Sequence, residues 1–290
     1  MKRLDPSPLV AWLFIAHLAA LIFGLIGLLY VLPNLGKFAD DPNALRVYQF
    51  SMDYAGSIHI ILGALAMLAF GIRFLGRRKT FIFAGVTYVL SLTSELLGTG
   101  TGWPFGNYAY TDFLGYKVLD HVPYTIPMSW FYMGLASYLL GTRIAEHMGK
   151  GDSILWTTGL GVWFLTVWDL VLDPAMAHSS LRVKFWEWTE SGPYFDMPIK
   201  NLVGWSVTGL IFMVVSRWLW KGSVSTRGMS SIPLAVYIVN IVFAMVVSAD
   251  VGLWIPIVLS ALLGIAPAVW IMRKRFTVPT PMNPAWSLDG

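Results

Sequence analysis

Long apolar runs separated by short polar stretches constrain this chain more than any motif, because runs of roughly 17 to 25 apolar residues cross a bilayer as helices. They fall at about 9–31, 54–76, 81–98, 123–143, 152–173, 201–220, 233–249 and 251–272. Of the 290 residues, 56% are hydrophobic and only 12% charged, well outside the range of soluble domains. The expected fold is all-α: a polytopic integral membrane bundle of about eight transmembrane helices. It forms a single transmembrane domain over 1–276, followed by a short surface or disordered tail over 277–290. The opening Met-Lys-Arg and the run Leu9–Val31 have the look of a signal peptide. The run is too long for one and lacks a small-residue cleavage site, so it reads as the first span.

Charge orients the bundle. Fourteen of the 20 Lys and Arg lie on one side of the expected spans, among them Arg73, Arg77, Arg78, Lys79, Arg143, Arg217 and Arg273, and most acids lie on the other. Excess Lys and Arg mark cytoplasmic loops, which places both termini in the cytoplasm of a multi-pass cell-membrane protein. These basic residues flank apolar spans, so the net charge of +4 argues for contact with the lipid bilayer and against nucleic acid. The chain has no cysteine, which removes disulfides, thiolate nucleophiles and Cys-ligated metals.

The two long connections, 99–122 and 174–200, share the non-cytoplasmic side and are rich in Trp, Tyr, Phe, Gly and Pro. Aromatic residues anchor membrane proteins at interfaces as a matter of routine, but their density here points to a site. Three acids approach the same side. Asp169 and Asp173, four apart in VWDLVLDP, share one helix face, and Glu95 ends the preceding helix that runs in the same direction. A carboxylate at membrane depth costs about 2.5–3.5 kcal/mol on insertion scales, so such groups mark interior sites unless they are solvated at the interface. An acid kept from water is also a candidate Brønsted acid. A weak echo of Gly, Tyr, Pro and Trp suggests that helices 3 and 4 repeat helices 5 and 6.

Several chemistries have no support. Gly98, Gly100 and Gly102 do not satisfy GxGxxG, and no phosphate-loop pattern occurs. His17, His59, His121, His147 and His178 lack the helical spacing that membrane iron sites use. His59 reads as a hydrogen-bonded structural histidine.

SELLGTGTGWPFGNYAYTD, VPYTIPMSW, WDLVLDP, FWEW and SGPYFDMPIKNLVGW, taken together and in this order, resemble the carotenoid biosynthesis membrane family that contains the carotenoid 1,2-hydratases. The resemblance covers residues 54–272. It implies an enzyme without cofactor or metal that adds water across the terminal C1=C2 double bond of an acyclic carotenoid end group. Gamma-carotene and lycopene are the implied bacterial substrates, and archaeal relatives act on bisanhydrobacterioruberin. Other enzymes of the same pathway are candidate partners. Such a hydration needs an acid to protonate the less substituted carbon, a wall that tolerates a tertiary cation, and a held water. The expected catalytic residues are Asp169 or Asp173 as proton donor and Glu95 as the group that holds water and takes its proton. Asn107, Asn201 and Tyr108 are expected to fix that water. Trp103, Tyr110, Trp186, Trp188 and Tyr194 are candidates for the wall, with Glu187 and Asp196 as reserve acids.

Two other classes fit parts of the pattern. Asp169 and Asp173 form a DxxxD like that which holds magnesium diphosphate in membrane prenyltransferases, although the NDxxD of that family is absent. Intramembrane acids also suit a proton-coupled transporter.

Overall fold

The computed structural model describes residues 7–38 and 40–274; the expected tail over 277–290 lies outside the described residues. The chain is a helical bundle. Helix α1 (Pro8–Ile26) continues through a widened turn, Gly27–Val31, into a tighter one, Leu32–Phe38. Next, α2 (Pro42–Phe50) runs through a second widened turn, Ser51–Ala55, into α3 (Gly56–Phe74). There follow α4 (Arg77–Thr101), α5 (Thr125–His147), α6 (Ile154–Ala177), α7 (Ile199–Trp220) and α8 (Ile232–Asp250). The last crossing is α9 (Trp254–Ser260), a widened turn, and α10 (Ala266–Arg273).

Seven helical stretches among the described residues are long and apolar enough to cross a membrane. The eighth expected span, 123–143, corresponds to α5, which is not one of the seven. Its composition has a physical reason: 18 of its 23 residues are buried against other helices, so its surface meets protein rather than lipid. It can therefore carry Gly, Ser, Thr, Tyr and Trp. Helices α3, α4, α6 and α8 all pack on it. The α5–α6 crossing is close: a Cβ on Gly141 would lie 2.4 Å from the backbone nitrogen of Gly161. Small residues at such crossings are what allow helices to approach in a membrane. Gly141→Val is accordingly expected to separate the two helices and remove most of the folded protein, read as the monodisperse fraction after detergent extraction.

The described residues of 32–53, between the first two expected spans, are largely helical. Asp41 caps α2 by accepting from the backbone N–H of Asn43 at 2.9 Å and of Ala44 at 3.3 Å, and Pro42 supplies a pre-set first helical residue.

The C-terminal end of the described chain lies at a basic end of the bundle. Arg143 of α5 donates to the backbone carbonyls of Ile271 and Lys274, and Lys79 donates to that of Ser223. The connections 102–124 and 178–198 lie at the opposite end. There β1 (Tyr108–Tyr110) pairs antiparallel with β4 (Trp186–Trp188), while β2 (Lys117–Val118) pairs with β3 (Val122–Pro123) inside the first connection. The two loops are thus stitched into one cap.

Candidate active site beneath the loop cap

Helix α4 buries Thr80, Phe83, Thr87, Ser91, Glu95 and Gly98, a stripe at helical spacing that turns small polar residues and one acid inward. Glu95 is not at the helix end as expected: α4 continues to Thr101 and is capped by Gly102 in the left-handed conformation (φ 72°). Glu95 therefore sits about one and a half turns inside, 4% exposed. The cap reaches it because Gly98 leaves room. A Cβ there would lie 2.7 Å from the Phe105 ring and 3.0 Å from the Tyr108 hydroxyl. Within the glycine ladder, Gly98 serves close approach and Gly102 ends the helix, while Gly100 has open space beside it.

Every hydrogen-bond partner of Glu95 is a donor. The hydroxyls of Tyr108 and Tyr110 donate to Oε2, the latter at 2.9 Å, and Trp130 Nε1 donates to Oε1 at 2.8 Å. Burial, reinforced by the Glu95 carboxylate, pushes both cap phenols well above the ordinary tyrosine range, so they remain O–H donors at neutral pH. An acid held only by donors is placed as a carboxylate-type acceptor.

The second acidic group has a different character. Asp169 is fully buried and Asp173 is 3% exposed; both lie on one face of α6, as their spacing of four predicts. Helix α6 extends past Pro174 to Ala177, so Asp173 lies inside the helix rather than at its end. The amide nitrogen of Asn201, near the start of α7, donates to both acids, to Asp169 Oδ2 at 3.0 Å and to Asp173 Oδ2. Asn201 thus bridges the two carboxyls, while Asp169 Oδ1 is buried without a hydrogen-bond partner. Ser94 with Thr208 (2.7 Å) and Thr166 with Ser206 (3.1 Å) tie α4 and α6 to α7 around them.

Between the acids lies a cavity of about 80 Å³, lined by Glu95, Asp173, Asn201 and a shell of aromatic residues. Trp130 stacks on Trp205 at 4.0 Å between ring centroids, and Trp168 meets Trp205 edge-on at 5.6 Å. The cap closes the space from above. Strand alternation places Tyr108, Tyr110, Trp186 and Trp188 on one face of the ribbon, and these four line the cavity.

Besides Asp169, five of the expected site residues lie outside the lining of this cavity. Glu187 pairs opposite Ala109 on the outer face, exposed and bridged to Lys184 at 2.6 Å. Trp103 is 64% exposed. Asn107 points outward and joins the two connections through Glu190, at 2.5 Å, which in turn pairs with Lys200. Asp196 accepts from the Ser179 backbone N–H at 2.8 Å and faces His178. Tyr194 donates to the Leu170 carbonyl at 2.9 Å, bracing α6 from outside the cavity. Four of these, Glu187, Asn107, Asp196 and Tyr194, have partners in the cap or in α6 instead. Trp103→Ala and Glu187→Gln are expected to change turnover by less than about twofold, as surface substitutions away from a site do.

Phe105, Trp130, Trp168 and Trp205 line the cavity but were not singled out for the wall from sequence. A signal was present: Trp130 and Trp205 each lie within the first two turns of a helix that follows a long connection.

Three buried acidic side chains around one aromatic cavity, within a helical bundle built to cross a membrane, define a multi-pass membrane protein with an internal acidic cluster. The chain belongs to the carotenoid biosynthesis protein family, whose model matches residues 55–267. It is similar to the bisanhydrobacterioruberin hydratase of Haloarcula japonica, 26% identical over 264 residues that cover 89% of this chain and 83% of that protein. No solved structure matches.

Proposed function

We propose that this protein hydrates the terminal C1=C2 double bond of an acyclic carotenoid end group of the gamma-carotene or lycopene type, in the cell membrane and with its termini in the cytoplasm. The observation that carries this reading is the division of labour around one cavity: a carboxyl pair on one side, a donor-held carboxylate on the other, and aromatic faces between. Family membership and the hydratase relative support it.

The two buried carboxyls share one amide donor, and a proton on one of them relieves their mutual repulsion, which makes the Asp169–Asp173 pair the proton source in this reading. Asp173, the member that lines the cavity, gives its proton to C2 of the alkene. The electron pair of the double bond forms the new C–H bond and leaves a tertiary cation at C1. Ring faces stabilise a desolvated cation by about 2 kcal/mol. Glu95 supplies the compensating negative charge in a site already organised before reaction. Water then bonds to C1 through oxygen and releases one proton to Glu95. Return of that proton to the aspartate pair resets the site, and the balance is alkene plus water to tertiary alcohol.

The amide of Asn201 also bears on the magnesium-diphosphate alternative. It places an N–H donor between the two aspartates, where a magnesium ion would need oxygen ligands. Expression in cells that accumulate acyclic carotenoids tests the proposal. Pigments heavier by one water, formed equally well without oxygen, are the expected result; unchanged pigments would overturn it.

A further inference from the structure

A second, larger cavity of about 350 Å³ lies between α1, α2 and α3, and the reaction scheme does not use it. It shares His59, Phe185 and Phe243 with the acid cavity, so the same three side chains border both spaces. Its wall along α1 runs from Ala20 to Val31, about 16 Å of helix at 1.5 Å per residue, which makes the space elongated. Both widened turns of the N-terminal region, Gly27–Val31 and Ser51–Ala55, contribute to it. Such turns in otherwise regular helices occur often at functional sites. The lining is apolar except for Asp41, Asn43, Tyr48 and Ser51 toward α2 and His59 at the border with the acid cavity, and among the described residues no lysine or arginine is part of it. A phospholipid would find no cation there for its phosphate.

We propose that this cavity is the binding channel for the polyene chain of the substrate, which threads between α1 and α3 so that one end group reaches Asp173 and Glu95. The proposal rests on the hydratase reading for the identity of the chain. It implies that the enzyme acts on one end of a long substrate at a time, with the remainder of the polyene leaving toward α2.

Gly27 provides the test. A Cβ at this position meets nothing within 4 Å, so a larger side chain enters the channel without displacing backbone. Turnover of Gly27→Phe is compared with wild type on a full-length acyclic carotenoid and on a truncated isoprenoid that has the same end group but no polyene. The expected result is a loss of about tenfold or more on the carotenoid and a change within about twofold on the truncated substrate, because only the remote binding contribution is removed. Ala44→Phe, which fills the channel from α2, is expected to show the same selectivity. Equal losses on both substrates in both variants, or no loss on either, would overturn the channel. Pigment retained by the purified proteins separates this inference from the hydratase reading. If wild type hydrates neither substrate, loss of bound carotenoid in Gly27→Phe still supports the channel. Unchanged pigment retention, or displacement of a phospholipid instead, overturns it.

Discussion

Asp173→Asn is expected to lower hydration by about 10²–10⁴-fold, the usual contribution of a positioned general acid, while the protein remains folded and binds carotenoid. The substitution keeps the side-chain volume and leaves an oxygen that can still accept from Asn201. What disappears is a transferable proton beside the cavity. Asp169→Asn is expected to cost less, since Asp169 lies behind Asp173 and does not line the cavity. The double variant should be no more active than Asp173→Asn alone. Turnover by chromatography of extracted pigments, paired with absorbance of bound carotenoid, checks each variant. Full activity in the double variant would remove the aspartates from the chemistry.

Glu95→Gln is expected to lower turnover by about 10²–10³-fold, comparable with deleting one preorganised electrostatic group elsewhere. Two effects act together. The negative charge opposite the developing cation is lost, and the new amide nitrogen is a donor facing Tyr108, Tyr110 or Trp130, all of which also donate. One donor is then left unpartnered in a buried place, which costs about 1–3 kcal/mol of stability. Tyr110→Phe, which removes a single donor and leaves the carboxylate, should retain more activity than Glu95→Gln. Thermal melting and turnover measured on the same preparations separate the two effects. If Glu95→Gln matched wild type in rate, the cation would need no charge at this position.

Much of this arrangement is legible in the chain because membranes impose few solutions on it. The apolar runs predict the crossing helices, and the charge asymmetry predicts that the loops with the aromatic residues share one end. The spacing of four between Asp169 and Asp173 predicts their shared face, and both lie at the site. Within the cap, the alternation in YAY and WEW already separates Tyr108, Tyr110, Trp186 and Trp188 from Glu187. Reading period two there places Glu187 on the opposite face from these four.

Other features depend on partners distant in sequence. Trp130 reaches Glu95 across 35 residues, and Asn201 reaches Asp169 across 32; neither pairing has a local pattern. Asn107 fits a water-binding role by residue type, yet its partner is Glu190, 83 residues away on the other connection. The inner position of α5 is likewise set by neighbours, which is why its hydropathy understates its depth. The larger cavity beside α1 arises where the helix widens, and apolar residues that face lipid and those that face a cavity are chemically alike.

The most direct test uses purified protein and an acyclic carotenoid in water labelled with heavy oxygen and deuterium. The account predicts a tertiary alcohol whose oxygen comes from solvent and whose neighbouring carbon gains one solvent hydrogen, formed without molecular oxygen and suppressed by Asp173→Asn. A product without solvent oxygen, or label incorporation that persists at the wild-type rate when Asp173 and Glu95 are both neutralised, would contradict the assignment of this cavity as the hydration site.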